Sequence, residues 1–195
     1  MGLISVIGSL NMDLVVRTPR APKAGETLAG TDFHLIPGGK GANQAVAAAR
    51  AGAEVRMVGC IGADAFGPLM LESLTAAGVN VSGVSRLVKA ATGTATIIVE
   101  DDGQNRIIAV PGANGKVSPE VVDHQWPAIQ QSDLILLQHE IPLASVHAVI
   151  ERAYAAGIRV LLNPSPFYPI PADILAKVNT LIVNEGEAEA LTGVT

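Results

Sequence analysis

With 195 residues, 49% of them hydrophobic and 16% charged, the chain is long enough for one α/β domain with a substantial core and too apolar to be disordered. A net charge of −5 argues against a nucleic-acid or anionic-membrane surface, and a lone cysteine, Cys60, excludes an intramolecular disulfide. No apolar run reaches the length of a membrane span, the first residues lack a signal-peptide pattern, and Val6 stands where a myristoylation motif needs Ser or Thr; a cytoplasmic protein is the expectation.

Leu3 to Gly8 is apolar at nearly every position and reads as a first strand buried on both faces. Asn11 and Asp13 follow it and point to the same side of an extended chain, placing an amide beside a carboxylate. An Asx-type turn explains the same two residues on local grounds. Leu14 to Val16 resumes an extended pattern. The stretch from Pro19 to Thr31 reads as loop and edge, and Phe33 to Ile36, with a surface-facing His34, leads into Pro37, Gly38, Gly39 and Lys40.

From Lys40 a helix of almost pure small residues runs through Ala42, Ala45 and Ala47 to Ala49, and Gly52 suits its end. Glycines allow a ligand or another backbone to come close, and Lys40 brings a cation to a helix start, where free N–H groups already favour anions. A tight loop into a buried helix accounts for the run on geometry alone. It is not a Walker A loop, because Gly41 follows the lysine where Ser or Thr belongs.

Glu54 to Cys60 is a second buried strand, and its thiol reads as inert. Asp64 caps a helix that Gly78 stops. Asp101 to Gln104 between Thr94–Val99 and Asn105–Val110 is a hairpin signal, with strands suited to a small sheet standing off the main domain. Ser118, Pro119 and Glu120 start a helix that Pro127 is expected to interrupt or kink. Leu134–Leu137, Ile158–Leu162 and Thr180–Val183 are the third, fourth and fifth strands, separated by helices. Glu140 follows the third, and Asn184 and Glu187 follow the fifth. A parallel α/β sheet is implied, and such sheets bind ligands outside the carboxyl ends of their strands. The bland alternatives are a solvated acid for Glu140 and a capping box for Asn184 with Glu187.

Gly8-Ser9-Leu10-Asn11-Met12-Asp13, the run from Pro37 to Ala47, Gly62-Ala63-Asp64 and Asn184-Glu185-Gly186-Glu187 together resemble the ribokinase family of sugar kinases, which includes fructokinases and adenosine kinases. The resemblance implies a three-layer α/β/α fold. Its parallel sheet would run in order 2-1-3-4-5, with a small β lid formed from about residues 14–36 and 92–112. It implies that Asn11, Asp13, Gly38, Gly39, Lys40, Asn43 and Glu140 hold sugar hydroxyls. Asn184 and Glu187 would lie at the nucleotide phosphates, with Glu187 acting indirectly on a metal. ATP and Mg²⁺ are the implied cofactors, a monovalent cation is an optional addition, and lids that pair between subunits imply a homodimer.

Such kinases continue into a Gly-Ala-Gly-Asp segment carrying the catalytic Asp base and a phosphate-receiving helix start. That segment does not occur in these residues, so the resemblance places the base beyond Thr195 and assigns no catalytic residue within residues 1–195. The expectation is therefore an N-terminal portion of an ATP-dependent kinase acting on a primary hydroxyl of a sugar, ribose first, inactive by itself. A non-catalytic sugar-binding or subunit-interaction fragment is the alternative. An unrelated nucleotide-binding module is disfavoured by the lack of a G-x-G-x-x-G fingerprint.

Overall fold

The computed structural model describes residues 2–194. Thr195, beyond which the resemblance places the catalytic base, lies outside the described residues, so that expectation has no counterpart in the fold. At the centre of the main sheet lies β1 (Leu3–Ile7), flanked by β4 (Glu54–Gly62) on one side and β8 (Leu134–Gln138) on the other. Beyond β8 come β9 (Arg159–Asn163) and β10 (Thr180–Leu181), and every pairing in this sheet is parallel. The five expected strands thus stand in the expected order. Two corrections apply. A sixth strand, β5 (Asn80–Leu87), lies outside β4, and β10 is two residues long rather than four.

Alternation along the central strands sets the layers. Val6, Met57 and Leu136 face one side, and Ile7, Val58, Ile135 and Leu137 face the other. Helices α1 (Lys40–Arg50) and α2 (Phe66–Ala76) cover the first set. Ala42 and Ala45 let α1 lie close to the sheet, while Met70 and Leu74 bury the inner stripe of α2. The second set packs against α3 (Pro119–Ile129) and α4 (Leu143–Ala156), the latter through Val146, Val149, Ile150 and Ala153. These helical spacings are those of amphipathic elements buried along one stripe. Short α5 (Ala172–Leu175) and exposed α6 (Glu185–Thr192) complete the described chain. Pro127 does not interrupt α3, which runs on to Ile129, although its ring removes one ladder bond and crowds the carbonyl four residues back. Cys60 is buried in β4, and burial pushes its thiol up to about 11, which keeps it protonated and unreactive.

A second, four-stranded sheet is built from β3 (Asp32–Gly38), β2 (Asn11–Thr18), β6 (Gly93–Glu100) and β7 (Asn105–Val110), in that order. β2 pairs antiparallel with β3 and parallel with β6, and β6 and β7 form a hairpin. One face carries Ile36, Asp13, Ala95 and Ala109 in register across the four strands. On the other, Met12 is buried in the cluster of Met70 and Leu74.

The chain enters β6 through a clamp centred on Asp64. One carboxylate oxygen accepts from the N–H groups of Phe66 and Gly67 at the start of α2 (both 3.1 Å) and from Thr92 Oγ1 (2.7 Å), while the other accepts from Thr92 N (2.6 Å). Burial works against this charge, but hydrogen bonds from Thr92, Gly67 and Phe66 outweigh it and hold the Asp64 pKa below its ordinary value. Among the described residues no helix is long and apolar enough to cross a membrane.

Candidate active site

Three chain segments meet at one point at the base of the second sheet. β1 passes into β2 through only Gly8, Ser9 and Leu10; β3 passes into α1 through Gly39; and β8 ends two residues before Glu140. Glu140 ties them together. Its Oε2 accepts from Ser9 Oγ (2.5 Å) and from the Lys40 N–H at the first turn of α1 (2.9 Å). Ser9 Oγ in turn accepts from Gly41 N (3.1 Å), and the Ser9 carbonyl accepts from Ala42 N (2.9 Å).

Such closeness needs glycine. Gly39 has φ 90°, a left-handed backbone that side-chain-bearing residues avoid, and a Cβ there would stand 2.8 Å from Asn11 N. Gly41 has no special dihedral. Its added Cβ would meet Ser9 N at 2.5 Å, with Gly8 C and Ser9 O at 2.7 Å.

Asn11 and Asp13 do not form a turn after the first strand; they belong to β2 itself, between β3 and β6. Asn11 Oδ1 accepts from Asn114 Nδ2 (2.7 Å), leaving the Asn11 amide nitrogen without a partner among the described residues. Asn114 sits buried in a 3₁₀ turn (Gly112–Lys116) and also grips both backbone groups of Leu10, accepting from its N–H at 2.9 Å and donating to its carbonyl at 3.1 Å. Asp13 lies against Gly38, whose missing side chain leaves room for the carboxylate. Burial raises the Asp13 pKa, and the charge of Glu140 raises it further.

A cleft of about 480 Å³ opens here, with Asn11, Asn114, His139, Glu140 and Tyr168 among its walls. Concave sites with a few convergent polar groups on apolar walls are what small ligands occupy. The structure therefore brings together Asn11, Asp13, Gly38, Gly39, the backbone of Lys40 and Glu140. The Lys40 side chain is half-buried, and Asn43 is exposed in the first turns of the same helix.

Asn184 and Glu187 lie apart, beyond β10. Asn184 Oδ1 accepts from Glu187 N (2.8 Å) and Glu187 Oε2 accepts from Asn184 N (3.1 Å), a complete capping box. Glu187 Oε1 stays outside that box, and the Glu187 charge is felt at His139. Among the described residues no three His, Cys, Asp or Glu side chains cluster as a metal site. Ser9, Asn114, His139 and Tyr168 were not among the residues picked from sequence. Ser9 lies inside the first conspicuous segment, but its role depends on a carboxylate 131 positions away.

Residues 1–195 match the family model described as pfkB family carbohydrate kinase. Ribokinases of Schizosaccharomyces pombe and Bacillus subtilis are 44% and 43% identical, the alignments covering 96% of this chain and 61% and 64% of theirs. A deoxyribokinase of Salmonella typhi is 39% identical, with 97% of this chain and 62% of its own covered. Among solved structures, Arabidopsis thaliana ribokinase complexed with ribose and ATP superposes with a TM-score of 0.90 at 37% identity, over 98% of this chain and 62% of that one. The chain thus spans less than two thirds of the length of these relatives. Whole-chain agreement with the family model, together with the shared α/β ribokinase-like architecture, shows that this chain belongs to the pfkB family of carbohydrate kinases.

Proposed function

We propose that this chain supplies the sugar-holding part of an ATP-dependent kinase that phosphorylates a primary hydroxyl of a pentose, ribose first. The observation that carries the reading is the convergence of Asp13 and Glu140, two carboxylates within electrostatic reach, beside the free amide of Asn11. Carboxylates accept and amides donate, which is what a polyol needs. A site built to hydrogen-bond hydroxyls discriminates strongly against analogues lacking them. Gly38 and Gly39 let backbone approach the sugar, Asn43 adds an amide from α1, and Lys40 offsets charge near the transferred phosphoryl group.

Asn184 and Glu187 would flank the nucleotide phosphates, with Glu187 reaching Mg²⁺ through water. The ion, when bound with ATP, supplies charge neutralisation on the phosphates. The sheet of β2, β3, β6 and β7 would close over the sugar as a lid. Exposed apolar side chains lie on both of its faces, Ile36 and Ile107 on the Asp13 side and Phe33, Leu35, Ile108 and Val110 on the other; such surfaces mark contacts, and a second copy of the chain is the proposed cover. Sedimentation analysis over a wide concentration range is expected to find a dimer; a monomer throughout would remove that part of the proposal.

The direct test is calorimetric titration of D-ribose and related sugars, beside an ATP-dependent phosphorylation assay. Sugar binding without turnover is the expected result for residues 1–195. A positioned base contributes about 10²–10⁴ in rate, and the resemblance assigns that base to a segment beyond Thr195. Turnover by residues 1–195 would nominate Glu140 or Glu187 as base, and absence of any sugar binding would sink the kinase reading. Acid should weaken the binding, because an ionised Asp13 accepts from hydroxyls more strongly than a protonated one. With its pKa raised, that loss begins at a higher pH than for an ordinary aspartate, and Asp13→Asn should abolish the acid limb. For stability the sign is opposite: a raised carboxylate pKa favours the folded state below its unfolded value, and this advantage is lost as pH rises through the folded pKa.

A further inference from the structure

The imidazole of His139 is buried without a partner. His139 follows the last residue of β8 and precedes Glu140, its backbone N–H donates to the Ser165 carbonyl (3.2 Å), and 4% of the residue is exposed. Neither Nδ1 nor Nε2 has a hydrogen-bond partner among the described residues. Buried polar groups in native proteins are nearly always satisfied, and leaving one unmade is costly, so an orphan ring at a cleft wall points to a ligand. The ring borders the same cleft as Asn11 and Glu140, and Tyr168 lies across from it with ring centroids 6.2 Å apart. Nearby walls at this end, Ile141, Pro142 and Leu143, bring no side-chain polar group.

The surrounding charges select the ligand chemistry. The charges felt at His139 are those of Glu187 on α6 and His147 on α4, and Glu140 lines the same cleft. Two carboxylates make this a poor place for an anion. Burial lowers the His139 pKa and His147 acts in the same direction. The Pro166 carbonyl, near the ring but not in hydrogen-bonding geometry, and the charge of Glu187 oppose them; the net shift keeps the ring neutral near pH 7. A neutral imidazole offers one donor and one acceptor, and a hydroxyl offers the same pair. Both nitrogens can therefore be satisfied by hydroxyl chemistry, whereas a fully ionised phosphate or carboxylate only accepts and would leave one ring nitrogen unpaired.

We propose that His139 is a specificity-determining contact of the sugar site, hydrogen-bonding through a ring nitrogen to a ligand hydroxyl beyond those that Asn11, Asp13 and Glu140 take. The proposal rests on the sugar-kinase reading and deepens it: the preferred sugar keeps a hydroxyl at the end of the cleft next to Tyr168. A sugar lacking that hydroxyl loses the contact and leaves the imidazole unpaired.

The test titrates D-ribose and each of its monodeoxy analogues into wild type, His139→Leu and His139→Gln, and records melting temperatures. Leucine should bind ribose about 10-fold more weakly, a loss typical of one buried hydrogen bond. Its melting temperature should be equal to or above wild type, because an unpaired polar group has been replaced by an apolar one of similar size. One analogue should bind wild type about 10-fold more weakly than ribose does, and His139→Leu no more weakly than ribose does. Glutamine, which keeps a donor and an acceptor, should regain most of the affinity. Unchanged ribose affinity in His139→Leu would show that water alone meets the ring and would overturn the proposal. A lower melting temperature in both variants, with all sugars weakened in parallel, would make His139 a packing residue and overturn it too. Wild type that binds no sugar in the panel would overturn the kinase reading first and this inference with it.

Discussion

Replacing Glu140 with alanine is expected to weaken sugar binding by about 100-fold or more and to lower the melting temperature of the same variant. Its Oε2 is the common acceptor for Ser9 Oγ and Lys40 N, so one side chain holds the β1–β2 joint, the start of α1 and the end of β8 in register. Hydrogen bonds to charged groups contribute about 1.5–3 kcal/mol each, and every 1.4 kcal/mol is about tenfold in affinity. Losing the two anchors loosens the shell, and under the proposed sugar-kinase function losing the carboxylate also removes an acceptor for sugar. Glu140→Gln should fall between, since an amide keeps one acceptor and presents its NH₂ to partners that want an oxygen. A second readout separates electrostatics from packing. The Glu140 charge helps raise the Asp13 pKa, so in either variant the acid limb of sugar binding should move to lower pH. Wild-type affinity in Glu140→Ala would remove this residue from the site.

Gly41→Ala is the sharper test of the backbone architecture, because two physical effects predict opposite signs. Helix propensity favours alanine over glycine by about 1 kcal/mol. Packing opposes it, since the new methyl would sit 2.5 Å from Ser9 N and 2.7 Å from Ser9 O and Gly8 C, all backbone atoms that no rotamer change can move. Relief requires α1 to back away from the joint, which breaks Gly41 N to Ser9 Oγ, Ala42 N to Ser9 O and the Lys40 N bond to Glu140. Overpacking of this kind costs about 1–3 kcal/mol, and the broken bonds add to it, so a net loss of about 3 kcal/mol is expected. That corresponds to roughly 6–12 °C in melting temperature for a domain of this size, with sugar binding lost alongside. A melting temperature at or above wild type would show that propensity wins and that the joint is looser than its contacts indicate.

The strands read most easily from sequence are those buried on both faces. Leu3–Ile7 and Leu134–Leu137 are apolar almost throughout, and so is the inner part of Glu54–Gly62, because helices cover them from both sides. β5 escaped because an edge strand has one neighbour and little covering it. Asn80, Ser82, Ser85 and Arg86 break any apolar pattern, and Gly83 in its middle packs against the Met57 carbonyl. Asn11 and Asp13 were legible as chemistry but not as strand. Their local sequence suits an Asx turn equally well, and only partners from β3 and β6 decide the matter. Asn114 gave no local sign at all, for its three bonds reach back 103 and 104 positions to Leu10 and Asn11. The capping box of Asn184 and Glu187 was legible because it is complete within four consecutive residues. What local pattern can reveal is thus what local forces decide; the convergence of the cleft comes from topology.

The second sheet is tied to the rest of the domain at its base, through Gly8–Leu10, Gly39, Pro111 and the Asp64–Thr92 clamp, and Met12 seats that base on α2. β2 and β6 run eight residues each away from that base, a lever arm of about 26 Å at the usual rise per strand residue. A tilt of about 10° at the joints would sweep the far end through about 4–5 Å on that arm, while Ser9 and Asn11 at the fulcrum scarcely shift. Stiffness at these joints would then govern how wide the mouth of the cleft opens. Substitutions that never touch a ligand could change how fast one enters and leaves, and distance measurements between labels at the hairpin tip and on α4 would register the difference.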